Sequence, residues 1–182
     1  MTLQRDIEQH LAPLLSATLT ELGRAAALEW FTFVMPDGST RALHVSCAWR
    51  LVRDDVILVG RSDYYRGATP EIDPWEDDDD VGTRLRDLGN DAVRELLGDG
   101  WRVSSIRADA LGGRAMAFDS GAVLEVFPDA APAAFDDWEA WRLFTLRDQS
   151  AHFVVWSDGL VSVCETHRQR GLPQRRSQQP LC

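Results

Sequence analysis

The chain has 182 residues, 45% hydrophobic and 26% charged, the ordinary balance of a folded domain, which excludes collagen-like, mucin-like and wholly disordered readings. At this length roughly 70% of the unfolded surface is buried on folding, so no disulfide or metal staple is required. Its 19 basic residues are all Arg and stand against 29 acids, a net charge of −10, which opposes binding to nucleic acid or to an anionic membrane surface and suits a basic protein partner.

Residues 2 to 24 carry Leu3, Ile7, Leu11, Leu15, Leu19 and Leu22 at spacings of three and four. That period predicts an amphipathic helix, N-capped by Thr2, kinked at Pro13 and stopped at Gly23. The period then changes to two, with Trp30, Thr32 and Val34 alternating with Phe31, Phe33 and Met35. A turn at Asp37-Gly38 leads into residues 42 to 52, where Leu43, Val45, Cys47, Trp49 and Leu51 face one way. His44, Ser46, Ala48 and Arg50 face the other. This predicts one strand with one buried face. Arg53-Asp54-Asp55 turns the chain into a further strand, VILVG, and the group reads as an antiparallel meander.

Residues 66 to 80 read as a loop, since they hold two prolines and, from Glu71 to Asp80, seven carboxylates in ten positions. A central helix is predicted from about Val81 to Leu97, with the acids at its N-terminal end, where the dipole favours negative charge. Short strands follow: WRVSSIRAD, RAMAFD, AVLEVFP, WRLFTL, HFVVW and LVSVC. Residues 119–121 and 157–159 suit tight hairpin turns. From Arg168 the chain holds four Arg and no acid, which reads as a disordered basic tail, 168–182, beyond a single domain, 1–167, of net charge −14. The runs of strands around two helices predict an α+β fold: an antiparallel sheet of short strands with the N-terminal and central helices packed on one side.

The segments LHVSCAWRLV, Ser62-Asp63-Tyr64, LEVFPD, EAWRLF and HFVV resemble a family of uncharacterised small bacterial proteins. The likeness spans residues 23 to 156. It implies that these segments belong to one domain and brings no activity, cofactor or catalytic residue.

His44-x-x-Cys47 and Cys164-x-x-His167 have the spacing of zinc-ligand pairs. On strands, however, residues three apart point to opposite faces, so Cys47 and Cys164 read as small buried hydrophobes, and no metal or cofactor is expected. No nucleophile elbow, P-loop, dinucleotide fingerprint or EF-hand spacing occurs, so binding is favoured over catalysis. Trp30, Trp49, Trp141 and Trp156 are expected in the core. Trp75, beside Glu76, Asp77, Asp78, Asp79 and Asp80, reads instead as an anchor for a cationic partner. The resulting expectation is an acidic, non-enzymatic protein that binds and neutralises a basic protein, in the manner of immunity proteins against nuclease toxins. The alternative is a small-ligand binder or enzyme using a polar sheet face of His44, Arg50, Glu125, Arg142 and His152. Three cysteines and an N-terminus without a basic, apolar leader place the chain in a reducing cytoplasm.

Overall fold

The computed structural model describes residues 2–25, 28–65, 95–129, 138–146, 151–157 and 161–164. A helix, α1 (Leu3–Leu11), is followed by eleven strands: β1 (Thr18–Ala25), β2 (Leu28–Val34), β3 (Thr40–Val45), β4 (Ala48–Arg53), β5 (Val56–Gly60), β6 (Trp101–Ala108), β7 (Arg114–Phe118), β8 (Val123–Phe127), β9 (Glu139–Thr145), β10 (His152–Trp156) and β11 (Val161–Cys164). They form one sheet in the order β11-β10-β9-β3-β2-β1-β6-β7-β8-β4-β5, and every neighbouring pair is antiparallel.

The sheet folds on itself. Its seam is the β1–β6 junction, where only Thr18↔Arg102 and Leu19↔Trp101 pair. The two halves then face one another. Trp49 of β4 meets Phe31 of β2 edge-on at 5.0 Å. Trp141 Nε1 of β9 donates to the Gly112 carbonyl, just before β7, at 2.8 Å. Inward side chains of both halves share one buried cluster, including Phe31, Phe33, Leu43, Trp49, Leu51, Met116, Leu124 and Trp141. Each fully buried side chain of this size contributes roughly 1.5–3 kcal/mol. Helix α1 lies across this core. Its Ile7 and Leu11 are buried, His10 stacks on Phe153 of β10 at 4.0 Å, and Glu8 Oε1 accepts from the Ala108 amide of β6 at 3.2 Å.

The α+β assignment is overturned by this sheet-dominated architecture. The N-terminal helix stops at Leu11, because Pro13 removes a donor and the next segment is extended from Thr18. Leu19 and Leu22, three apart, both face the core because a β-bulge at Thr20 inserts one extra residue between them. A bulged strand thus mimics the helical spacing. Of the predicted central helix, only one helical turn, 95–97, is described; Leu97 there is buried, and the rest lies outside the described residues.

The single strand expected over residues 42–52 is two. The chain leaves β3 at Val45, crosses through Ser46-Cys47 and enters β4 in the opposite half-sheet. The five-residue apolar alternation survives because both halves bury their inner faces against the same core. Trp49 and Trp141 are buried, but Trp30 and Trp156 are only half-buried. Trp30 is on the outer face of β2, where its indole lies over Gly23: a Cβ there would sit 2.2 Å from the ring.

Candidate functional site

Trp75, Glu76 and Asp77 to Asp80, the expected partner anchor, lie outside the described residues. So do His167 and the tail. Among the described residues no three His, Cys, Asp or Glu side chains gather as a metal-ligand group. His44 is on the outer face of β3 while Cys47 is in the core.

The five residues expected to share one polar face form two separate groups. His44 is opposite Arg142, and Phe144 joins His44 (4.7 Å, edge-on) to His152 (4.4 Å, stacked). Burial, with the positive charges of Arg142 and His152, holds His44 down at about 4, so its ring is neutral at pH 7. Arg142 is itself held by Glu139 through two hydrogen bonds. Arg50 and Glu125 lie on the outer face of the other half-sheet, paired at 2.5 Å. The two halves turn these faces away from each other, so no pocket holds all five.

The second face carries a feature that polar residues alone do not reveal. On β7 and the residue before it, Arg114, Met116 and Phe118 are buried and face the core. The alternate positions, Gly113, Ala115 and Ala117, therefore form the outer face. None of these three has a side chain larger than a methyl group; Gly113 is buried beneath the Asp109 carboxylate, so a short trench opens over Ala115. On the β6 side Arg107 is opposite Ala115. On the β8 side Glu125 is opposite Ala115, with Arg50 beyond it. The row reads Arg107, Ala115, Glu125, Arg50 across four strands. A cavity of about 340 Å³ opens here, lined also by Asp109 and Phe127.

The charges around the trench are unequally committed. Asp109 Oδ1 accepts from the Leu111 and Gly113 amides at 2.7 and 2.8 Å, which ties it into the β6–β7 turn. Glu125 holds Arg50, whose guanidinium also lies 5.8 Å from the centre of the Phe127 ring. Arg107 is exposed, and its side chain makes no hydrogen bond or ion pair among the described residues. Phe127 is 40% exposed.

The inner face of the same strand holds a buried cation. Arg114 is 4% exposed, and its three guanidinium nitrogens have no hydrogen-bond partner among the described residues. Its guanidinium lies 3.8 Å above the Trp141 ring. Burial pushes it down to about 9. Burial likewise pushes the neighbouring Cys47 thiol up to about 12, despite the pull of Arg114, so this cysteine is no nucleophile at neutral pH. Glu29 of β2 is also fully buried, with Arg61 Nε at 3.8 Å.

Sequence reasoning found Arg50 and Glu125 but missed Arg107 and the trench. The signal was present: Gly113, Ala115 and Ala117 recur at period two, out of phase with Arg114, Met116 and Phe118. No protein-family model, curated protein or solved structure matches this chain.

Proposed function

We propose that the protein is a non-enzymatic binding protein and that the trench over Ala115 of β7 is where its ligand docks. The carrying observation is the methyl-sized floor at Ala115 between the walls that carry Arg107 and Glu125, which leaves about 340 Å³ of open space on paired strands. Concave sites of this size with a few convergent polar groups are the usual form of small-molecule sites. Strand-borne walls hold the backbone geometry, so little beyond the Arg107 side chain has to be ordered on binding.

A fragment screen followed by amide NMR tests the reading. Ligands are expected to shift the amides of Arg107, Ala115, Ala117 and Glu125 together. Ala115→Leu, which fills the floor, should abolish those shifts. A screen in which no fragment moves these amides removes the site.

A second reading rests on charge. The net −10 and the acids of residues 71–80 support capture of a basic protein, with Trp75 as anchor and immunity-type neutralisation as the role. Electrostatic steering would make association slow steeply with salt. Changing Asp77 to Asp80 to Asn should lower the association rate, and Trp75→Ala should raise the dissociation rate. Recovery of the same partners by parent and variants alike would remove this segment from the binding surface.

A further inference from the structure

The trench has one cation to spare and one ring to offer, and we infer that its ligand is an aromatic carboxylate, bound through Arg107 with its ring laid toward Phe127. This inference rests on the docking site proposed above and adds the class of ligand.

Four charged side chains line the cavity besides the buried Arg114. Three are already engaged: Asp109 by two backbone amides, and Glu125 and Arg50 by each other. Arg107 is the exception among the described residues. A guanidinium presents a planar fork of donors that matches a carboxylate in two parallel hydrogen bonds. It stands on the β6 wall beside Ala115, so a carboxylate placed against it leaves the rest of the ligand lying over the methyl-sized floor.

Phe127 lies diagonally across that floor, beside Glu125. On β8 it is two residues from Glu125, on the same outer face, and its exposed ring forms the far wall. An aromatic body there gains an offset or edge contact with the ring. It also lies near Arg50, whose charge is balanced by Glu125. A cationic ligand would meet wall carboxylates that each already accept from a donor through one oxygen, whereas the Arg107 guanidinium donates to nothing among the described residues. The overall acidity of the chain opposes anions at long range, so selectivity must come from the paired hydrogen bonds at contact.

Calorimetric titration of the full chain with phenylacetate and with phenylacetamide, its neutral isostere, separates the terms. The parent should bind phenylacetate at least about tenfold more tightly than the amide, the ratio set by roughly 1.4 kcal/mol. Arg107→Gln should erase the preference and leave the weak amide binding in place, while Ala115→Leu should remove both. Arg107 is exposed and unpaired among the described residues, so the Gln variant should melt with the parent. Equal affinity for acid and amide, no binding of either compound, or a preference retained in Arg107→Gln would each overturn the inference. The amide shifts of the fragment screen keep the two levels apart: if only neutral or basic fragments move Ala115 and Ala117, the ligand class fails and the docking site stands.

Discussion

Replacing Arg114 with Met should stabilise the protein. The substitution keeps a long, flexible stem of similar reach and removes a guanidinium whose nitrogens have no hydrogen-bond partner among the described residues. Burial lowers that guanidinium well below its ordinary value, to about 9. Read as the cost of holding the charged form, this is on the order of 5 kcal/mol. The face-on contact with Trp141 at 3.8 Å returns about 2 kcal/mol, the value for a desolvated cation–π pair. The balance, a few kcal/mol against folding, agrees with the roughly 1–4 kcal/mol gained when buried charges are replaced by packed apolar groups. For a chain of this length each kcal/mol moves the midpoint by about 2–4 °C. Arg114→Met should therefore melt several degrees above the parent and shift the urea midpoint with an unchanged slope. Arg114→Lys should fall below the parent, because an ammonium is more strongly hydrated and loses the planar stacking. A loss of more than about 1 kcal/mol in the Met variant would refute the reasoning, since the guanidinium would then be making bonds that the geometry does not contain.

Three further outcomes follow from other parts of the molecule. Folding holds His44 at about 4 against 6.5 in the free side chain, so the unfolded chain takes up that proton first; stability is full above about pH 6.5 and drains as the pH falls toward 4. Because His44 is only half-buried, screening leaves about 1–2 kcal/mol of this, and urea melts at pH 7 and pH 4.5 should show a smaller acid loss in His44→Gln than in the parent. Gly100, at φ +97°, precedes β6 at the seam between the two half-sheets, and an added Cβ would lie 2.7 Å from the Leu19 carbonyl oxygen; Gly100→Ala should cost about 2 kcal/mol or more, and an unchanged melting curve would show that the seam yields. Cys47, buried and held protonated, should resist iodoacetamide at pH 8 in the folded protein and react only as urea unfolds it.

The period-two segments were legible because each strand buries one face. The alternation of Leu43, Val45, Cys47, Trp49 and Leu51 was read correctly as a buried row, although the backbone breaks in its middle. Periodicity reports which side faces the core, and in a folded-over sheet that side stays the same when the chain changes sheets. The helix predicted over residues 2 to 24 holds for Leu3–Leu11 and fails beyond it for a related reason: the bulge at Thr20 gives an extended chain a helix-like spacing. The site was less legible. The period-two recurrence of small residues at 113, 115 and 117 is visible in the sequence, but what makes Ala115 informative is the size of its neighbours on β6 and β8, which only strand pairing supplies. Arg114 and Glu29 share a different signature. Each stands in phase with buried residues of its strand, Met116 and Phe118 for one and Phe31 and Phe33 for the other. A charged residue on the apolar phase of a strand was thus the readable mark of a buried charge.

The trench reading is tested most directly by a parallel melt and fragment titration of Ala115→Leu. If Ala115 floors an open cavity, the larger side chain enters solvent-filled space. The variant should melt within about a degree of the parent while losing fragment binding at β6, β7 and β8. A fall in stability of several kcal/mol, the mark of overpacking, or unchanged fragment binding would contradict a docking site on this face.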